Sequence, residues 1–249
     1  MEKILKKIFT QTKDEAIKKI LDKKAKIINF LYFASLQEHI IENKNNEYIN
    51  ALLDSDLILP DWIALKLFLA KNNIKISENL NWTDFTPYLL KNLKWKIHIW
   101  FYTVYDEKIG KSKRDAMKVK EYIQKNFAPE KIFSFVSHYN QRGKDFDFKK
   151  YEESLIWQYD YKIFLVWLWT PFQEIWTYKN KNFFKKHDII VLNVWGLFDF
   201  WTSFEKRAPS IIRKLNLEWA RRFTQNPKKN WKKVKNSFKL IKHLLKKPS

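Results

Sequence analysis

Residues Val191 to Phe223 read VLNVWGLFDFWTSFEKRAPSIIRKLNLEWARRF. Of the opening residues, Val191, Leu192 and Val194 are apolar and fall on both alternating faces, as in a strand covered by helices on either side of a parallel sheet. Trp195-Gly196 then turns the chain into the helical-looking Leu197-Phe198-Asp199-Phe200-Trp201. From Glu205 onward the chemistry changes, and Lys206-Arg207-Ala208-Pro209 and Leu217 to Phe223 bring in clustered arginines. The stretch therefore reads as a ligand-facing strand end followed by a basic appendage.

Working outward, apolar, β-branched runs recur at Lys26–Ala34, Asp56–Leu59, Lys96–Val104, Lys131–Ser137, Tyr161–Trp169 and Asp188–Trp195. Segments with helical spacing separate them. Thr12-Lys13-Asp14-Glu15 is a capping box opening a helix with Ala16, Ile17, Ile20 and Leu21 on one face. Asp61 begins another through Ile63 to Leu69, and Lys113 to Phe127 fits a third. This alternation predicts a Rossmann-like α/β fold: a mainly parallel sheet flanked by helices over residues 1–204, then a basic helical C-terminal appendage over 205–249. Ligands of such sheets bind beyond the carboxyl ends of the strands. Those ends deliver Ser35 and Gln37, then Pro60-Asp61-Trp62, then Trp167 to Glu174, and finally Trp195 to Asp199.

The 249 residues, 45% hydrophobic, suffice for a substantial core and exclude disorder of the whole chain. No apolar run approaches the roughly 18 residues needed to cross a bilayer. The opening MEKILKKIFTQTKDE lacks the continuous apolar stretch of a secretion signal, so a cytoplasmic location is expected. Without cysteine there is no disulfide, thiolate metal site or cysteine nucleophile. The net charge of +21 is concentrated: residues 205–249 hold 15 Lys or Arg against Glu205 and Glu218, which leaves +8 on the first 204 residues. Such a tail suits an anionic membrane surface or nucleic acid, and charge alone does not choose. Three glycines against 12 tryptophans invert ordinary usage, in which Gly is about 7% of residues.

The order LILPDWIAL (57–65), NWTDF (81–85), VWLWTPFQE (166–174), VWGLFDFW (194–201), KRAP (206–209) and LEWARRF (217–223) resembles the WecG/TagA/CpsF family of bacterial glycosyltransferases from about Ile8 to Lys233. That family writes these motifs as a PDG-type turn, a GxD turn, VGxGxPxQE and GxGGxFDxxxG. Trp62, Trp82, Trp167, Trp169, Trp195 and Trp201 fall on its glycines. Two indoles at Trp167 and Trp169 would crowd a loop where a phosphate approaches backbone N–H groups. The expectation is that these six, and with less support Trp95, Trp100 and Trp157, are UGA codons that the source bacterium reads as glycine. Trp176 and Trp219 suit the family as aromatic residues, and Trp231 is undecided. The other reading is that tryptophan is real and the site has diverged.

The resemblance implies an inverting hexosyltransferase that moves N-acetylmannosamine or a related sugar from a UDP donor to a polyprenyl-diphosphate-linked acceptor. Cell-surface polysaccharide or teichoic acid synthesis is the implied setting, at the inner face of the cell membrane. It assigns Asp61 as the general base, although Asp is also a favoured helix N-cap. Ser35 and Gln37 align with its Thr-x-Asn pair and would bind substrate; a surface turn is the alternative for Ser35. Gln173 would help hold the substrate, the alternative for this helix start being capping by Glu174, and Phe172 replaces a usual basic residue. Arg207 and Arg222 would offset diphosphate charge, or else pair with Glu205 and Glu218. Phe101 to Asp106 departs from a glycine-rich stretch usual in relatives. No metal or other cofactor is expected: Asp145-Phe146-Asp147 lacks a further ligand at metal spacing, and the five histidines are scattered.

In the appendage, Trp231, Val234, Phe238, Ile241 and Leu245 make one helical stripe, with Lys232, Lys235, Lys239, Lys242 and Lys246 beside it. Lys229, Trp231, Lys232, Lys235, Phe238 and Lys239 are the expected membrane-binding residues. A helix packed on the domain with solvated lysines is the alternative. The partners expected are thus a UDP-sugar, the lipid-linked acceptor and an anionic membrane, with a homo-oligomer open. Two other classes compete. A nucleic-acid-binding protein would use the charge and the 17% aromatic content, but the aromatics lie in apolar strands rather than among exposed basic residues. An inactive carbohydrate-binding relative would stack sugars on real tryptophans.

Overall fold

A computed structural model describes residues 1–22, 26–61, 63–93, 97–103, 113–127, 137–139, 148–154, 159–202, 208–209, 231, 235, 238–240 and 242–245. Six strands form one sheet: β1 (Ile27–Tyr32), β2 (Leu57–Asp61), β3 (Ile97–Thr103), β4 (Ser137–Tyr139), β5 (Tyr161–Trp167) and β6 (Ile189–Asn193). Their order is β2-β1-β6-β5-β3-β4, and every pairing is parallel. Helices α1 (Glu2–Lys7) and α2 (Lys13–Leu21) precede β1. Between β1 and β2 lie α3 (Phe33–Ser35), continued by the π-helical Leu36–Glu42, and α4 (Asn46–Asp54). Next come α5 (Ile63–Lys71) and α6 (Trp82–Asn92) before β3, α7 (Lys113–Phe127) before β4, and α8 (Phe148–Ser154) before β5. Helices α9 (Phe172–Lys179) and α10 (Lys181–Lys186) return to β6, and α11 (Leu197–Trp201) follows it.

The α/β architecture is the expected one, and its physical cause is visible in alternate strand residues. On β5, Ile163 and Leu165 enter a core shared with α2, α6, α7 and α11, whereas Phe164 and Val166 face α8 and α10. Both faces are buried, so the strand reads as one apolar run. Of the six predicted runs, Lys131–Ser137 lies outside the described residues except for Ser137, which begins β4. The Thr12 capping box forms, with the Glu15 N–H donating to the Thr12 hydroxyl at 3.3 Å and the Thr12 N–H donating to the Glu15 carboxylate at 2.9 Å. One boundary differs from expectation: Asp61 does not open a helix but closes β2, paired in register with Tyr32 of β1. Pro60 is tolerated there because β2 is an edge strand.

The tryptophans sit differently from the sequence argument as well. Gly196 takes φ 76°, but the other left-handed residues are Lys44, Asn73 and Asp188; among the described residues no tryptophan has positive φ. Backbone conformation therefore does not demand glycine at Trp82, Trp167, Trp169, Trp195 or Trp201, while Trp62 lies outside the described residues. Side-chain environment speaks more clearly. The indole N–H groups of Trp82 and Trp100 are buried without a hydrogen-bond partner, each costing about 1–3 kcal/mol. The Trp100 ring centroid lies 3.1 Å from that of His98, closer than the roughly 4.5–7 Å of ordinary aromatic pairs.

Two connections diverge from the middle of the sheet: β1 leads outward to β2 at one edge, and β3 to β4 at the other. The crevice above the strands between them is where an open α/β sheet places its ligand. A buried polar ladder fixes the helix beside it. Thr177 of α9 donates to Asn193 at 2.9 Å, and Asn193 donates to Asn29 of β1. Lys181 further ties the start of α10 to Asp54 of α4 at 2.7 Å.

Candidate active site

Five chain segments meet at the carboxyl ends of β1, β2 and β5. Asp61 ends β2 and is fully buried. Its register partner Tyr32 ends β1, and in a parallel pair such partners leave the same side of the sheet. Ser35 follows on α3, buried, with its hydroxyl 2.7 Å from the Tyr48 hydroxyl of α4. From β5 come Thr170 and, at the start of α9, Gln173 and Glu174, which are 2% and 1% exposed.

Hydrogen bonds and charge connect these groups. Glu174 Oε1 accepts from Thr170 Oγ1 at 3.1 Å and from Gln173 Nε2 at 2.9 Å. Glu174 Oε2 and Gln173 Oε1 are buried and have no partner. Burial pushes the Glu174 carboxyl up to about 7, against the hydrogen bonds from Gln173, its own backbone N–H and Thr170. Burial and the Glu174 charge also raise the Tyr32 hydroxyl far above its ordinary value, with Asp61 and Glu38 adding to the effect while a hydrogen bond with Thr170 opposes it. Tyr48 is raised by burial and by Glu174, with the Ser35 hydrogen bond opposing. The cluster thus joins two carboxyl groups, two phenols and an amide.

The structure brings Asp61, Ser35 and Gln173 of the sequence-predicted residues to one end of the sheet. Ser35 is not a surface turn: the Tyr48 bond holds it inside. Gln37 lies in the π-helical segment, 5% exposed, donating from Nε2 to Glu42 at 2.9 Å, with its Oε1 2.8 Å from His243 Nε2. That contact joins the appendage to the site's rim. Leu240 and Leu244 enter the core formed by α1, α4 and α5, the His243 ring packs edge-on against Phe33 and Phe68, and Lys239 pairs with Glu42. Trp231, Lys235 and Phe238 are exposed, as are Lys242 and Leu245. Arg207, Arg222, Lys229, Lys232 and the Asp145-Phe146-Asp147 segment lie outside the described residues, as do residues 104–106 of the Phe101 to Asp106 stretch. Among the described residues no three metal-ligating side chains gather.

Sequence reasoning missed Tyr32, Tyr48, Thr170 and His243. A tyrosine at a strand end or inside an amphipathic helix carries no local signal, because its partners come from other elements.

A buried aspartate and a polar helix start above a parallel sheet suit a transferase that handles a polar substrate, but many families share that geometry. The family model of the glycosyl transferase WecG/TagA/CpsF family matches residues 3–248, nearly the whole chain. The chain belongs to this family. It is therefore a glycosyltransferase of the hexose-transferring kind. Similar to it is the N-acetylglucosaminyldiphosphoundecaprenol N-acetyl-beta-D-mannosaminyltransferase of Bacillus subtilis, 27% identical over 194 residues, which are 77% of this chain and 69% of that protein. The protein of the same name from Bacillus spizizenii is 24% identical over 204 residues, 82% of this chain and 73% of that one. For a WecG/TagA/CpsF enzyme the cluster at Asp61 is the natural place to look for the reacting groups.

Proposed function

We propose that this glycosyltransferase moves N-acetylmannosamine or a related sugar from a UDP donor to a polyprenyl-diphosphate-linked sugar, in cell-surface polysaccharide or teichoic acid synthesis. The names of the two Bacillus relatives support the acceptor class and the sugar. The observation that carries the mechanism is the Asp61 carboxyl, fully buried at the end of β2 beside Tyr32.

In this reading the acceptor hydroxyl attacks the anomeric carbon from the face opposite UDP. Its proton passes to Asp61 as the new C–O bond forms, the bond to UDP breaks, and the electron pair leaves on the diphosphate. Configuration inverts. Gln173 and Ser35 orient sugar hydroxyls, and Arg207 and Arg222, by family resemblance, offset the leaving charge together with main-chain N–H groups. No metal or other cofactor takes part.

The enzyme works at the inner face of the cytoplasmic membrane, held there by its appendage. Exposed Trp231, Phe238 and Leu245 beside exposed Lys235 and Lys242 fit an interfacial helix. Among the described residues no helix is long and apolar enough to cross a membrane.

A radiolabel transfer assay with a lipid-linked acceptor and several UDP-sugars tests this. Turnover that drops about 10²–10⁴-fold in Asp61→Asn is expected for loss of a general base. Absence of turnover with every donor, or an unaffected Asp61→Asn enzyme, would refute it.

A further inference from the structure

We infer that Gln37 and Glu42 are a polar latch for the appendage: they hold His243 and Lys239 in one rotation of the helix, so that its opposite side, Phe238, Lys242 and Leu245, is turned to an anionic bilayer while the helix stays seated on the rim of the crevice. This inference rests on the membrane-bound transferase reading above and gives Gln37 a duty other than the substrate contact that family resemblance implies.

Position on the helix separates Gln37 from the reacting groups. Ser35 turns to α4, where its hydroxyl lies 2.7 Å from that of Tyr48. Gln37 follows two residues later in the same helical run, and residues so spaced do not face each other. Its amide meets other partners: Nε2 donates to Glu42 Oε1 at 2.9 Å, and Oε1 lies 2.8 Å from His243 Nε2. The Glu42 carboxylate fixes which end is which, since a flipped amide would set oxygen against oxygen. Hydrogen bonds from Lys239 and Gln37 hold the Glu42 carboxyl below its ordinary value, so it is ionised at neutral pH. Facing Oε1, His243 Nε2 must carry a hydrogen and donate, which both a neutral tautomer and the cation can do. Gln37 is 5% exposed, and with both ends of its amide engaged inside the protein it has little to offer a sugar.

The same two residues select the rotation of the appendage helix. Leu240 and Leu244 supply apolar contact with the core formed by α1, α4 and α5, a non-directional attraction that tolerates slippage. Hydrogen bonds demand direction. Lys239 pairs with Glu42, and His243, one turn further on, meets Gln37 while its ring packs edge-on against Phe33 and Phe68. With Lys239, Leu240, His243 and Leu244 turned inward, helical spacing puts Phe238, Lys242 and Leu245 on the other side, and all three are exposed. Docking and membrane contact therefore use opposite sides and do not compete. A helix with its side chains is roughly 10–12 Å thick, so the Gln37 rim would lie about that far below the headgroups, within reach of a diphosphate at the bilayer surface.

Hydrogen exchange and fluorescence on the full chain test this without reference to turnover. The sequence has no cysteine, so a bimane on Leu245→Cys reports from one place. On vesicles of phosphatidylglycerol and phosphatidylcholine that label should be quenched by brominated acyl chains, while the amides of Leu240 to Leu244 keep the protection they have in solution. His243→Phe keeps a ring for Phe33 and Phe68 but removes the N–H. It and Gln37→Met should each speed exchange of those amides about tenfold, with the double variant no faster. His243→Gln, which restores an N–H, should recover part of the protection. Protection lost on vesicle binding would mean that the membrane strips the helix from the domain, and it overturns the proposal, as does wild-type protection in His243→Phe. An unquenched label overturns the proposed orientation. In the transfer assay with UDP-N-acetylmannosamine and a vesicle-borne, lipid-linked N-acetylglucosamine acceptor, Gln37→Met should lower kcat/KM no more than His243→Phe does. A much larger loss in Gln37→Met returns that residue to the substrate and overturns the latch. If no donor is turned over, the transferase reading fails, and exchange and quenching still decide the latch.

Discussion

Replacing Glu174 by glutamine should alter how stability depends on pH, apart from any effect on turnover. The amide keeps an oxygen to accept from Thr170 and Gln173, and it cannot ionise. In the folded wild type the carboxyl is pushed from 4.5 to about 7, so between those values the native state holds a proton that the unfolded chain has released. Stability is then complete below pH 4.5, falls as pH rises through the window, and levels off above about 7. With each tenfold change in the proton equilibrium worth about 1.4 kcal/mol, the loss comes to about 3 kcal/mol. Against a typical domain stability of about 5–15 kcal/mol that is large. Urea unfolding at pH 4.5 and pH 8, on wild type and Glu174→Gln, gives the quantity as a double difference. Other groups, such as His98, whose ring burial holds down to about 3 with help from Lys162, titrate alike in both proteins and cancel. The variant should gain about 3 kcal/mol on the wild type between the two pH values. Parallel stability curves for the two proteins would show that the carboxyl is not buried and uncompensated as described.

Three further outcomes are expected. Thr12→Ala removes the capping box of α2 and should lower stability by about 1 kcal/mol in the same urea assay. Phe238→Ser, at a position 58% exposed, should weaken sedimentation with anionic vesicles and leave the melting temperature unchanged, whereas Leu240→Ala, inside the core, should lower the melting temperature. The intact mass of protein made in its own host should fall below the 30.5 kDa of the written sequence, with peptides showing glycine at Trp62, Trp82, Trp167, Trp169, Trp195 and Trp201. Tryptophan at those positions would refute the recoding.

The sheet was legible because its strands are buried on both faces, which leaves a continuous apolar signature in Ile163 to Trp167 and Ile189 to Leu192. Asp61 could be found as a strand-end carboxyl, but its exact place could not: Pro60 suggested that the strand stopped, and only edge position allows it to continue. Gln173 and Glu174 read as a helix start, yet nothing local shows that Glu174 is buried. That follows from Tyr48 and Tyr32, residues brought over it by α4 and β1. Likewise the appendage reads as one stripe of apolar residues, whereas the docked contacts use Leu240, His243 and Leu244, which lie on a different side of the same helix. A pattern of spacing identifies faces but not which face meets the domain.

Leu240 and Leu244 share a core with Ile4, Leu5 and Ile8 of the first helix and its exit. During synthesis, then, the α1 side of the sheet has to wait, its apolar surface uncovered, until the far-downstream Leu240 and Leu244 emerge from the ribosome. The rim at Gln37 is completed by His243 from the same downstream segment, so a chain cut short before it would lack that contact and leave the apolar flank at Ile4 and Leu5 bare.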